Sequence, residues 1–228
     1  VLCLQEANGW DEGYPNRLEA VAAETGLTSY VYGDSNTQYK LATLSNVPIL
    51  HSEVYVENFW HSAVRTVIPY GGGMIDQWNL HLDPGGEDSR LEEITYAVPL
   101  FHQAEDVLAV GDFNSLSTFD WYPDDLADKL LLEGITKFGV DELRRDVTNY
   151  LASQGLFDVA VVQGNTETTV PTPANKDKYH AAAMRLDYMF ATHNMLQYVR
   201  DIRVIKNRLT DRISDHYPVV ATLKDAPD

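Results

Sequence analysis

Cysteine is almost absent from this 228-residue chain. Cys3 is the only one, so there is no internal disulfide framework and no multi-cysteine zinc site. Long apolar runs are missing as well. Nothing approaches the roughly 18 to 20 continuous apolar residues that a membrane-spanning helix needs. Basic charge is scarce, with 17 Lys+Arg against 34 Asp+Glu and a formal net charge of −17. That balance disfavours a general binder of polyanions, which carries a basic surface. No internal repeat, low-complexity tract or composition shift marks a linker. What remains is the material of a globular protein. Hydrophobic residues make up 44% of the chain, and aromatic and β-branched residues occur throughout, which excludes disorder. Such a length buries a substantial core in one or two domains. The sequence starts at Val1 inside an apolar run, without Met, and reads as a protein whose start has been removed.

Short apolar runs alternate with amphipathic ones. Val1 to Leu4 reads as a buried strand ending at Gln5-Glu6, and Pro15 to Glu24 as a helix stopped by Gly26. Strands are expected over Ser29–Tyr32, Leu41–Leu44, Ile49–Val56, Val64–Pro69 and Met74–Leu82. In the last of these, Trp78, Leu80 and Leu82 alternate with Asn79, His81 and Asp83. Ser89 with Glu92 fits a capping box for a helix carrying Leu91, Ile94, Val98 and Phe101, which Pro99 should kink or shorten. Val107–Val110 is a strand leading into Gly111-Asp112-Phe113-Asn114. Residues 124–153 are helical in pattern, broken near Gly134 and Gly139, and 164–178 form a polar loop. Strands recur at Leu186–Ala191, Val199–Ile205 and Val219–Leu223. The interleaving predicts one domain of α/β type.

Chemically capable residues gather at strand ends: Gln5-Glu6, Asn79-x-His81, Asp112-x-Asn114, Arg185-x-Asp187 and Ser214-Asp215-His216. In the three x-spaced cases an extended strand puts both side chains on one face. Carboxylates, amides and imidazoles collected at one sheet edge are costly to bury without a partner. A divalent cation with hard oxygen ligands would be that partner. Each pair also has a plain reading. Gln5-Glu6 fits a solvated loop start, His81 a half-buried histidine, and Gly-Asp-Phe-Asn a turn. Asp187 is free to pair with Arg185 or Arg203, and Ser214-Asp215-His216 fits a cap before the last strand. These readings do not account for all five occurring at the ends of apolar strands.

Together with Leu44-Ser45-Asn46-Val47-Pro48-Ile49, the five motifs give the chain, from Val1 to Val219, a strong resemblance to a known family. It resembles the endonuclease/exonuclease/phosphatase superfamily, which includes deoxyribonuclease I, abasic-site endonucleases, sphingomyelinases and inositol polyphosphate phosphatases. The resemblance implies an α+β fold, a four-layer α/β/β/α sandwich of two packed mixed β-sheets flanked by helices. It makes 1–228 a single catalytic domain lacking its first strand, an absence expected to open an unpaired edge inside a sheet. It implies that Glu6 is the principal metal ligand and Asp215 a second ligand or a close neighbour of the metal, which is Mg²⁺ or Mn²⁺. His216 becomes the general base, oriented by Asp187. Asp112 and Asn114 position the nucleophile and hold the phosphate, or a second metal; His81 bonds a phosphate oxygen, and Asn79 supports His81. Asn46 departs from the family by standing where relatives often carry a basic residue.

The implied activity is metal-dependent hydrolysis of a phosphoester, with a His-activated water attacking a metal-bound phosphate. The expected substrate is a phosphorylated small molecule or a lipid head group, handled by a monomer. A nuclease of the same fold is the alternative, supported locally by Arg200, Arg203, Lys206, Arg208 and Arg212 within thirteen residues. A solvated strand face is the preferred reading of that cluster. A catalytically silent binding scaffold is the third possibility, and the intact polar set argues against it.

Overall fold

The computed structural model describes residues 1–224. Its strands are β1 (Leu2–Leu4), β2 (Ser29–Gly33), β3 (Leu41–Ser45), β4 (His51–Tyr55), β5 (Ser62–Tyr70), β6 (Gly73–His81), β7 (Val107–Asp112), β8 (Leu156–Asp158), β9 (Asp187–Thr192), β10 (Val199–Val204) and β11 (Val219–Leu223). Helices are α1 (Arg17–Thr25), α2 (Glu87–Phe101), α3 (Leu126–Leu132), α4 (Asp146–Ser153), and the single turns α5 (Val159–Val162), α6 (His193–Leu196) and α7 (Thr210–Ile213). No helix among the described residues is long and apolar enough to cross a membrane.

Six strands form one mixed sheet in the order β4-β5-β6-β7-β9-β8, with β6 and β7 parallel and the other pairs antiparallel. The alternation in β6 assigns its two faces. Trp78, Leu80 and Leu82 enter the core made with Ile94, Val98 and Phe101 of α2 and Val147 and Leu151 of α4. Asn79 faces the opposite way, toward β1 and β3. A three-stranded sheet, β1-β3-β2, packs on that side and is covered in turn by Leu18 and Ala22 of α1. The β10-β11 hairpin packs on the same sheet through Ile68, Ile75, Val199, Ile202 and Val219. The result is α+β, with two β layers between helices.

Among the described residues β1 pairs only with β3, and β11 only with β10. Between them runs a cleft of about 910 Å³, lined by Leu2 and Leu4 on one side and Val219 and Ala221 on the other. Ile75, Val110 and Met189 of the six-stranded sheet also line it, and Glu6, Asp187, Asp215 and His216 border it.

One helix expectation needs correction. The capping box falls elsewhere: α2 starts at Glu87 after Gly86, so Ser89 lies within its first turn and caps nothing. Asp83 accepts the Gly85 N–H, which closes the preceding turn early. Glu87 and Asp88 then supply the negative charge that suits a helix N-terminus. A reciprocal box does form at Asn16 and Glu19, opening α1. Pro99 sits in the last turn of α2, which ends two residues later.

Candidate active site

Strand register sets three side chains in a row. His81 stands opposite Asp112, and Asp112 opposite Asp187. His81 and Asp112 are the last residues of β6 and β7, and Asp187 is the first of antiparallel β9, so all three meet at one end of the sheet. Gly111 makes the approach possible. Its φ is +138°, and a Cβ there would stand 1.9 Å from the Leu80 carbonyl oxygen, a position open only to glycine. Asp112 Oδ1 then accepts the Asn114 N–H at 2.8 Å, while Asn114 Nδ2 donates to the Leu82 carbonyl at 3.1 Å. Asn114 and Glu6 adopt φ of +50° and +56°. Left-handed backbone in non-glycine residues is costly and concentrates where surrounding structure dictates the geometry.

His216 Nδ1 lies 2.7 Å from Asp187 Oδ2. Asp187 thus pairs with neither Arg185 nor Arg203. Arg185 precedes β9, so strand alternation does not hold it on the Asp187 face. It turns into a buried ion triad with Asp120 and Asp158, at 2.7 Å from each. Asn79 also differs from expectation. It accepts from Gln5 Nε2 at 2.6 Å and donates to the carbonyls of Leu4 and Ala42, both at 3.1 Å. These bonds tie the two β layers together, and His81 Nδ1 is left without a hydrogen-bond partner.

Three further residues enter the site that strand-end motifs do not reveal. Lys137, carried in from the segment between α3 and α4, is buried and donates to Asn114 Oδ1 at 3.0 Å. His61 stacks on His81 with ring centroids 4.2 Å apart. His180, from the polar loop before β9, packs edge-on to His216 at 4.8 Å. Only His61 left a sequence signal: it precedes Ser62, which pairs with His81 across β5 and β6.

Charge and burial act against each other here. Burial raises the Asp112 pKa; His216 opposes the rise and Asp187 adds to it. Glu6 is exposed as a residue, yet its carboxylate is raised by desolvation and then by Asp215 and Asp112. Burial lowers His81 to about 3, with a further push from His216, so it is a neutral imidazole. His180 is lowered chiefly by burial and then by His216 and Lys137. Burial would lower His216 too, but the charge and hydrogen bond of Asp187, followed by Asp112 and Asp215, outweigh it and raise the pKa to about 10.

The sequence model for the Endonuclease/Exonuclease/phosphatase family matches residues 1–216. The chain belongs to the endonuclease/exonuclease/phosphatase family. Solved structures with the same fold include an AP endonuclease from Archaeoglobus fulgidus, 20% identical with a TM-score of 0.69, covering 97% of this chain and 88% of that one. A 3′ phosphatase from Neisseria, bound to product DNA hairpin, is 15% identical with a TM-score of 0.68, covering 98% and 88%. A family protein from Leptotrichia buccalis is 20% identical with a TM-score of 0.64, covering 94% and 79%. No curated protein matches the chain.

Endonuclease/exonuclease/phosphatase enzymes hydrolyse phosphoester bonds, and the donor set of this chain suits a divalent cation. Two groups each bring three donor atoms within 4.8 Å of one another: Asp112, Asp187 and His216, and His180, Asp215 and His216. Glu6 stands outside both triads, adding its charge from the end of β1. Crowded carboxylates that raise one another's pKa gain from positive charge placed among them, and oxygen donors fit Mg²⁺ or Mn²⁺.

Proposed function

We propose that this chain is a divalent-metal-dependent phosphoester hydrolase in which His216 is the general base and Asp187 orients it. The observation that carries this reading is the 2.7 Å contact between His216 Nδ1 and Asp187 Oδ2, set beside Asp112 and Asp215. With Nδ1 committed to the carboxylate, Nε2 is the nitrogen left to take a proton from water. Glu6 and Asp215 would hold the cation, Mg²⁺ or Mn²⁺. When bound, it would supply charge stabilisation at a phosphate oxygen and offset the carboxylates that keep His216 protonated. Asp112 and Asn114 would hold the attacking water and a phosphate oxygen, and His81 would donate to another oxygen through a ring N–H. Lys137, fixed against Asn114, would add positive charge next to that phosphate.

A phosphorylated small molecule or lipid head group is the preferred substrate, because a net charge of −17 opposes a long polyanion footprint. A nuclease is the second reading. It is favoured by the AP endonuclease and the DNA-bound 3′ phosphatase among the similar structures. Arg200, Arg203, Lys206, Arg208 and Arg212, all exposed on β10 and the segment leading to Asp215, give it local support. The test is hydrolysis of p-nitrophenyl phosphate, bis-p-nitrophenyl phosphate, sphingomyelin and plasmid DNA in Mg²⁺ or Mn²⁺. His216→Ala should lower the rate about 10²- to 10⁴-fold. An unchanged rate would overturn the assignment of the base. Plasmid nicking far faster than hydrolysis of the small esters would put the nuclease first.

A further inference from the structure

His180 has no role in the hydrolysis described above, and its surroundings are unusual. The side chain is 5% exposed, and Nδ1 is buried without a hydrogen-bond partner. Nδ1 points to Asp215 Oδ2 at 3.6 Å, and Nε2 lies 3.8 Å from Asp177 Oδ2. Both separations are too long for hydrogen bonds. A buried imidazole thus sits between two carboxylates and bonds neither.

Its neighbours complete a recognisable donor set. The donor atoms of His180, Asp215 and His216 all lie within 4.8 Å of one another. Two ligands on one tetrahedral zinc ion stand about 3.3 Å apart, given metal–ligand bonds near 2.0–2.1 Å. The 3.6 Å between His180 Nδ1 and Asp215 Oδ2 is already close to that. His216 meets a second requirement. Its Nδ1 is bound to Asp187, the carboxylate–imidazole arrangement that fixes the tautomer of a metal-ligating histidine and leaves Nε2 to face the ion. Two nitrogens and one oxygen suit zinc-class cations, whereas Mg²⁺ prefers all-oxygen surroundings.

We propose that His180, Asp215 and His216 form a site for a zinc-class divalent cation, and that filling it withdraws His216 from its work as a base. The second half rests on the hydrolase reading above; the first half does not. Asp215 and His216 belong to both arrangements, so the two cations compete. His180 is the residue that separates them, because it contributes nitrogen only to the inhibitory one.

The experiment uses Co²⁺ as the probe, since it replaces Zn²⁺ in nitrogen and oxygen sites and gives an intense visible band at low coordination number. Metal-free protein titrated with Co²⁺ should develop that band and lose it on addition of equimolar Zn²⁺, whereas Mg²⁺ should displace it only at far higher concentration. His180→Ala and the ring-sized His180→Phe, checked for folding by circular dichroism, should bind Co²⁺ at least about tenfold more weakly. Glu6→Gln should retain the band. Equal Co²⁺ affinity in wild type and both folded His180 variants would overturn the site, as would displacement by Mg²⁺ as readily as by Zn²⁺. The inhibitory half is read from Mg²⁺-supported hydrolysis, with each protein compared to its own zinc-free rate. Half-inhibition by Zn²⁺ should need at least about tenfold more ion in His180→Ala; identical inhibition in both would sink it. Absence of any hydrolysis would count against the hydrolase reading and the inhibitory half, while the Co²⁺ band would still decide the site.

Discussion

The His216–Asp187 pair is where single residues matter most. Asp187 lifts His216 through charge and through a hydrogen bond, so it sets both the orientation and the basicity of the imidazole. In Asp187→Asn the hydrogen bond can survive, but the charge is gone and the amide no longer dictates which nitrogen carries the proton. The metal-free variant should therefore show a His216 pKa well below about 10, read by NMR titration of the ring protons. With Mg²⁺ supplied, the kcat of Asp187→Asn should fall about 10²- to 10⁴-fold, with KM much less affected. A pKa that stays put would mean that Asp112 and Asp215 carry the effect instead. Glu6, His81, Asp112, Asn114, Asp187, Asp215 and His216 were legible in the sequence because each ends, follows, opens or shortly precedes an apolar strand, and strand ends converge in a sheet. Lys137 and His180 were not. Lys137 lies between the breaks at Gly134 and Gly139 and His180 beyond the polar loop, and the arrival of each at the site depends on how a long connection folds back.

Among the elements, α2 does more than cover the sheet. Glu87 and Arg90 are buried on it and face one another at 3.0 Å. Glu87 Oε1 accepts from Ser115 Oγ and from the Val147 N–H, and Arg90 donates to the Lys137 carbonyl. One helical turn thus holds the Asp112–Asn114 turn, the start of α4 and the lysine that reaches the site. One turn further along, Glu93 accepts the N–H of Trp60 at 2.6 Å and of Asp83 at 2.8 Å. Burial raises its pKa from 4.5 to about 7 despite those two bonds. A folded-state pKa above the unfolded value means that the native protein holds its proton longer. The resulting contribution to stability is complete below pH 4.5 and is lost as pH rises through about 7. Glu93→Gln removes that titration. In urea denaturation from pH 4.5 to 8, the wild type should therefore lose about 1–3 kcal/mol relative to Glu93→Gln as pH rises. A constant difference across the range would mean that folding leaves the Glu93 pKa unchanged. The elements themselves were largely readable from period-2 and period-3.6 patterns. The misplaced α2 start shows the limit: Ser89 and Glu92 have the spacing of a capping box, but the Pro84-Gly85-Gly86 turn had already begun the helix at Glu87.

At the scale of the molecule, the two β layers are unequal. The six-stranded sheet is continuous and its central strands β6 and β7 are largely buried, with α2 and α4 packed on one face. The opposing layer is divided into β1-β3-β2 and the β10-β11 hairpin, and the cleft of about 910 Å³ runs between them. The hairpin therefore has fewer backbone partners, and β11 is only half-buried. Local opening costs least where buried apolar contacts are few and pairing is incomplete. Native-state hydrogen exchange should find the amides of Val199–Val204 and Val219–Leu223 opening together, about 2 kcal/mol or more below those of β6 and β7. The separation has a direct bearing on the site. His216 lies three residues before β11, whereas its partner Asp187 is anchored in the six-stranded sheet. Opening of the hairpin would part them without unfolding the sheet that holds His81 and Asp112. A ligand or cation that bridges Asp215 and His216 to the six-stranded sheet should slow exchange in β10 and β11 selectively. Equal protection in the hairpin and in β6 and β7 would instead make the molecule one cooperative unit, with the cleft imposing no weakness on the layer it divides.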